Sequence, residues 1–337
     1  MTPRSSEAQR RKDCSQRLGH DFMKIIFLGT GAFGVPSLEA LVAAGLPPLL
    51  VVSQPDRQKG RSLVKAPSPL AEAAQNMGLP LFQPERINRP DSLDRLAPLE
   101  PDVLVVISYG QILKKPLLAL PKWGAVNLHG SLLPRHRGAS PIQASILAGD
   151  EVTGVTTMLM DEGLDSGPVL KSVSTPLGSD ETSAALHDRL AVLGASLLVP
   201  TLKELAAGTI KGIPQDPARV TTCGLIKKHD GHLDFRRPAV QIERAIRAFF
   251  PWPGAQCEIP VRDNWIRATL TRATVVSAPG AEPGSIYDPS AGTLTVACGE
   301  GALRIHQLKP SGKKEMTDRE FLRGYPVPSG SRMRAPQ

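Results

Sequence analysis

A chain of 337 residues is too long for one average core and long enough for two domains that each bury an interior. Its composition, 41% hydrophobic and 21% charged, is that of a globular protein, and no apolar run approaches the roughly 20 residues that cross a bilayer, so no membrane segment is expected. Cys14, Cys223, Cys257 and Cys298 form no Cys-x-x-Cys pair and have no histidine at ligand spacing, which argues against a structural zinc and for isolated thiols in a reducing cytoplasm.

The net charge of +8 is unevenly spread: residues 1–208 hold 21 Lys+Arg against 20 Asp+Glu, and residues 209–337 hold 19 against 12. A basic final third is the footprint of a protein that touches a polyanion such as nucleic acid, and equally of a solvated basic surface.

Residues 1–22 lack an apolar stretch and do not read as a secretory signal; they read as a disordered extension, or as sequence upstream of the true start at Met23. Lys24–Leu28 is then a buried strand, followed by a glycine turn and a helix whose Leu38, Leu41 and Val42 share a face before Gly45. Leu49–Ser53 is a second strand. A helix over Pro69–Met77 stops at Gly78, a short helical segment lies near Leu93–Leu96, and Val103–Ile107 is a strand. This βαβα order predicts a parallel sheet wrapped by helices.

Ala125–Leu128 reads as a further strand, Ser140 and Pro141 as the start of a helix ending at Gly149, and Val155–Met160 as a strand. Over Thr182–Ala206, Leu186, Leu190, Leu193 and Leu197 recur at near-helical spacing, and Pro200 is expected to kink or divide that helix. Residues 209–228 have no clear period, as in a linker. One helix around Val240–Phe250 and short β-rich runs at Trp265–Val276, Thr293–Ala297 and Leu303–Leu308 suggest a small barrel of the oligonucleotide-binding type.

Gly29-Thr-Gly31-Ala-Phe-Gly34 is a literal G-x-G-x-x-G between a strand and a helix. The next strand ends in Ser53-Gln54, where a nicotinamide site would place an acid for the ribose, so the fingerprint fails there. A phosphorylated nicotinamide cofactor held by Arg57 or Arg61 stays a minority alternative. The glycines otherwise serve a tight turn at the carboxyl edge of the sheet.

The most informative string is Asn127-Leu-His129-Gly-Ser-Leu-Leu-Pro-Arg-His-Arg-Gly138. In a strand, residues i and i+2 share a face, so Asn127 and His129 project together while Val126 and Leu128 point into packing. Asp165 lies in a polar, glycine-rich loop after a strand and can deliver a carboxylate to the same sheet edge. Spacing alone favours a turn residue at Asp165 and a structural histidine at His129.

As a combined pattern these segments resemble the methionyl-tRNA formyltransferases, within the wider group that uses 10-formyltetrahydrofolate, and the resemblance runs from Met23 to about Pro328. It implies that Asn127, His129 and Asp165 are the catalytic triad, that Ser131, Leu132, Leu133 and Pro134 bind the folate cosubstrate, and that no metal takes part. Relatives acting on glycinamide ribonucleotide or an aminosugar nucleotide share these features, so a small-molecule acceptor stays open. Three stretches favour tRNA. The basic loop from Ser53 to Pro69, with Lys59, Arg61 and Lys65, is similar to the family's inserted loop, in which the arginine matching Arg61 positions the acceptor end. Ile242–Pro253 resembles the family's second-domain helix and turn, and Leu308–Lys314 its late basic hairpin with Lys313 and Lys314. The glycine turn departs from the family's Gly-Thr-Pro, and Phe235 stands where a Trp is usual.

The implied architecture is α/β, with a Rossmann-like parallel-sheet formyltransferase domain at 23–208, a linker at 209–228, an OB-like barrel for tRNA at 229–330 and a tail at 331–337. The implied reaction formylates initiator methionyl-tRNA for translation initiation, in a cytoplasmic monomer. Asn127 is expected to donate to the formyl oxygen, and His129 to be a second donor or to relay the amine's proton. Asp165 is expected to orient the imidazole and raise its pKa.

Overall fold

The computed structural model describes residues 23–59, 64–277, 280–287, 289–328 and 330–336, so residues 1–22 and Arg61 lie outside the described residues. Two compact units are present, one of residues 23–127 and 199–211, the other of residues 128–198 and 212–336.

The first unit contains β1 (Ile25–Gly29), α1 (Val35–Ala43), β2 (Leu50–Val52), β3 (Arg57–Lys59), β4 (Val64–Ala66), α2 (Pro69–Asn76), β5 (Leu81–Phe82), α3 (Pro90–Leu96), β6 (Val103–Ile107), α4 (Lys115–Leu118) and β7 (Ala125–His129), which crosses into the second unit after Asn127. Its strands lie in the order β7-β6-β1-β2-β5, all parallel. Unbroken apolar runs suit this role, since β1 and β6 are buried throughout, as strands covered on both faces must be. The chain starts in the middle of the sheet and winds first to one side and then to the other. That reversal beside β1 is where open α/β sheets bind ligands, outside the carboxyl ends of the strands.

The glycine turn sits at the carboxyl end of β1. A Cβ on Gly29 would come within 2.8 Å of the Ile107 carbonyl oxygen, whereas one on Gly31 or Gly34 would meet nothing closer than 3.5 Å. Only the first glycine is sterically demanded, and it serves close packing against β6. Helix α2 starts where Ser68 accepts the N–H of Ala71 at 3.1 Å and Pro69 fills the first turn. The basic loop holds an antiparallel pair, β3 with β4, that its polar sequence does not announce.

The second unit contains β8 (Arg137–Gly138), α5 (Pro141–Ala148), β9 (Val152–Leu159), β10 (Val169–Pro176), α6 (Ser183–Ala206), whose end returns to the first unit, β11 (Thr222–Cys223), α7 (Ala239–Ala248), β12 (Ala255–Val261), β13 (Asn264–Val276), β14 (Ile286–Tyr287), β15 (Leu294–Ala297), β16 (Ala302–Pro310), β17 (Met316–Thr317) and α8 (Asp318–Gly324). β9 and β10 are antiparallel. α6 is long and apolar enough to cross a membrane by length and composition, but Leu186, Leu190, Leu198 and Leu202 are buried in the protein and make it a core helix. Pro200 does not divide it; the one backbone hydrogen bond the proline lacks is outweighed by burial of Leu198, Thr201 and Leu202 around it.

The stretch 209–228 is fastened along its length. Ile213 bridges to Val169, and β11 pairs in parallel with β8. Beyond it, a curled antiparallel sheet runs β12-β13-β16-β15-β14, with β17 on β16, and α7 lays Ala239, Ile242 and Ile246 into the core. Phe235 is buried in that core. So is Met333, from the stretch read as a tail. β12 escaped the sequence reading because Glu258 and Pro260 interrupt it. Glu258 is buried between Arg334 at 2.9 Å and Arg267 at 3.5 Å. Burial alone would raise its pKa, but the two arginines outweigh that and hold it below the usual value.

Candidate active site

β7 ends at His129, which the chain turns over and buries. Its Nε2 lies 3.0 Å from the carbonyl oxygen of His136. A carbonyl only accepts, so Nε2 carries the proton and the ring's lone pair is confined to Nδ1. Nδ1 in turn lies 3.6 Å from Oδ2 of Asp165. Burial pushes the His129 pKa down, while the Asp165 carboxylate and the His136 carbonyl push it up; burial wins and the net direction is lowered. Asp165 therefore acts on the imidazole in the expected direction, raising its pKa, but desolvation of the imidazolium is the larger effect and sets the net direction.

Asp165 is held in a left-handed backbone conformation, with φ of 49°. Its Oδ2 accepts the backbone N–H of Gly138 at 2.8 Å, and its carbonyl accepts from the Gln215 amide at 2.8 Å. The same amide reaches the Gly167 carbonyl at 2.8 Å, so one side chain closes the loop. Gly167 must be glycine, since a Cβ there would sit 1.8 Å from the Leu159 carbonyl oxygen.

Ser131–Pro134 are pinned between these elements. The Thr156 hydroxyl donates to the Ser131 carbonyl at 2.7 Å and accepts the Leu133 N–H at 3.2 Å, which ties both ends of the turn to β9. Ser131 is fully buried, and its hydroxyl donates to the Arg135 carbonyl at 2.6 Å. In the first unit, the Asn127 amide donates to the Val106 carbonyl at 3.0 Å. That bond fixes which way the amide points. Its second N–H is left over, and its buried Oδ1 has no partner among the described residues.

His129 and Asp165 are thus brought together, with Ser131–Pro134 in the turn that follows. Lys65 is exposed on β4, Lys59 ends β3, and Lys313 and Lys314 are exposed between β16 and β17. Sequence reasoning missed His136, Thr156, Gln215 and Thr221, which hold the site from behind; only their proximity in the folded chain marks them. Among the described residues no group of three or more His, Cys, Asp or Glu is placed to hold a metal ion.

The family model "Formyl transferase" matches residues 23–202, and "Formyl transferase, C-terminal domain" matches residues 225–326. The methionyl-tRNA formyltransferase of Methylococcus capsulatus is 45% identical over 92% of this chain and 99% of its own length. The chain belongs to the methionyl-tRNA formyltransferase family. The family's enzyme from Halorhodospira halophila is 46% identical over 89% of this chain and 96% of its own. An N-formyltransferase from Helicobacter canadensis, solved with folinic acid and dTDP-3-aminofucose, shares the fold with a TM-score of 0.59 at 15% identity, over 84% of this chain and 98% of that one. The chain is accordingly a formyltransferase, in which His129 and Asp165 stand 3.6 Å apart.

Proposed function

We propose that this formyltransferase moves the formyl group of 10-formyltetrahydrofolate onto the α-amino group of initiator methionyl-tRNA, giving N-formylmethionyl-tRNA. The acceptor is that of the two bacterial relatives that match nearly end to end. The folate donor is supported by the chemistry of the family, and Ser131, Leu132, Leu133 and Pro134 are its binding segment. Residues 23–208 make the catalytic domain. The basic residues 229–330, joined through 209–228, hold the tRNA together with Lys59, Arg61, Lys65, Lys313 and Lys314. The enzyme works as a monomer in the cytoplasm.

The observation that carries this reading is the placement of the His129 ring, with Nε2 3.0 Å from the His136 carbonyl oxygen, to which it donates in the tautomer assigned here, and Nδ1 3.6 Å from Asp165 Oδ2. A neutral α-amine attacks the formyl carbon and forms the new C–N bond. Nδ1 takes the amine's proton, and Asp165 stabilises the imidazolium so formed. The second N–H of Asn127 donates to the oxyanion of the tetrahedral intermediate. Collapse breaks the bond to the folate nitrogen, which leaves with the proton that Nδ1 returns. Because Nε2–H is already engaged, this geometry favours His129 as relay over His129 as a second oxyanion donor.

The test is transfer from labelled 10-formyltetrahydrofolate to charged initiator tRNA, glycinamide ribonucleotide and an aminosugar nucleotide in parallel. Label on methionyl-tRNA alone is the expected result. Equal or greater labelling of either small amine would replace the acceptor assigned here.

A further inference from the structure

His136 is not one of the triad, yet its backbone is what His129 leans on. It is buried and sits in the left-handed region with φ of 58°, which a residue other than glycine holds only where its surroundings impose it. Two groups impose it. Thr221 Oγ1 accepts the His136 N–H at 2.8 Å and lies 3.4 Å from His136 Nδ1, to which its own hydroxyl proton can be given. On the other side of the ring, Nε2 meets Oδ2 of Asp150 at 2.7 Å. Thr221 also brackets the turn through its backbone, donating to the Pro134 carbonyl at 3.3 Å and accepting from the Arg137 N–H at 2.9 Å.

We propose that Asp150 and Thr221 are positioning residues for His129: they lock His136 so that its carbonyl accepts the Nε2–H of His129 and confines the basic lone pair to Nδ1, facing Asp165. Which imidazole nitrogen is protonated is set by the bond the other makes, and here that bond comes from a carbonyl whose placement depends on the His136 side chain. Without the lock, the His136 peptide can relax out of its left-handed conformation and withdraw the acceptor. His129 then distributes its proton between both nitrogens, and the fraction with Nδ1 free falls. The charged or titratable groups around this pair are Arg135 and Asp150 beside the His136 ring, Asp165 beside His129, and the Cys223 thiol 3.5 Å from the His136 carbonyl oxygen. The Cys223 pKa is raised, chiefly by burial, so the thiol stays a neutral weak donor to the same carbonyl and does not compete for the proton.

This inference rests on His129 being the proton relay. It is tested with Thr221→Val, Asp150→Ala and their conservative counterparts Thr221→Ser and Asp150→Asn, in the full chain. Ring-nitrogen NMR of histidine-labelled protein reads the tautomer, and kcat and KM for both substrates are measured alongside. Wild type should show His129 with Nε2 protonated and Nδ1 bare. Thr221→Val and Asp150→Ala should mix the tautomers and lower kcat roughly ten- to a hundredfold with KM little changed, and the conservative pair should restore both. A wild-type His129 protonated at Nδ1 overturns the proposal whatever the variants do, as does an unchanged His129 spectrum in Thr221→Val. If instead His129→Ala retains turnover, the relay reading fails on its own, because the tautomer spectra do not depend on activity.

Discussion

The carboxylate of Asp165 takes the backbone N–H of Gly138 at 2.8 Å, and with it a glycine fixed by its neighbours sets where the acid stands. Gly138 has φ of 122°, and a Cβ there would lie 2.0 Å from the Cys223 carbonyl oxygen across the β8–β11 pair. Gly138→Ala should therefore separate the two strands and carry the N–H away from Asp165. Backbone strain of about 1–3 kcal/mol and a comparable overpacking cost combine to about 3 kcal/mol or more. Denaturant unfolding followed by circular dichroism measures this. A variant as stable and as active as wild type would mean that the strand pair does not hold the acid.

The lowered pKa of His129 has a consequence for stability against pH. Native His129 resists protonation because it is buried, whereas the unfolded chain protonates near 6.5. As pH falls through that value the unfolded state binds a proton that the native state refuses, so stability is lost on acidification and is fully present above it. His129→Gln should remove this component. Urea midpoints of both proteins between about pH 7.5 and 5 should converge at the acid end. A wild type that gained stability relative to the variant on acidification would mean a charged native imidazole.

Asn127 offers a test on the other side of the reaction. Its amide is oriented by the Val106 carbonyl, which leaves one N–H for a developing oxyanion. Asn127→Ala should lower kcat by about 10²–10³, the usual effect of losing one such donor, with KM for the folate less affected. Thermal melts establish whether the fold persists. Near-normal turnover in a folded variant would remove Asn127 from the site.

The parallel sheet was legible because β1, β2 and β6 are short apolar runs between turn residues, and the hydrophobic pattern reports burial directly. β10 was not, since Lys171, Ser172 and Ser174 lie among its apolar residues, and Ser172, Ser174 and Pro176 are exposed. Spacing alone favours a turn residue at Asp165, because the hydrogen bond that fixes its carboxylate goes to Gly138, 27 residues away. Thr221 was harder still. It falls in a stretch with no period, and its hydrogen bonds with Pro134, His136 and Arg137 exist only after the chain has folded back. The residues proposed for the reaction stand in a recognisable order in the sequence, whereas those packed against them are scattered and chemically ordinary.

The late basic turn makes a prediction about salt. Lys313 and Lys314 stand exposed in the turn between β16 and β17, and no ion pair with a carboxylate is seen for either among the described residues. An exposed, unpaired lysine gains little within the protein and keeps its charge for a phosphate. If both bind the tRNA backbone, log KM for methionyl-tRNA should rise with log salt, and Lys313→Ala with Lys314→Ala should reduce that slope by about 0.9 for each duplex phosphate that is no longer neutralised. The KM for the folate and the thermal stability should stay as they were. A double variant with an unchanged salt slope would assign these lysines to ordinary solvated surface and place the polyanion-binding face elsewhere in the basic second half of the chain.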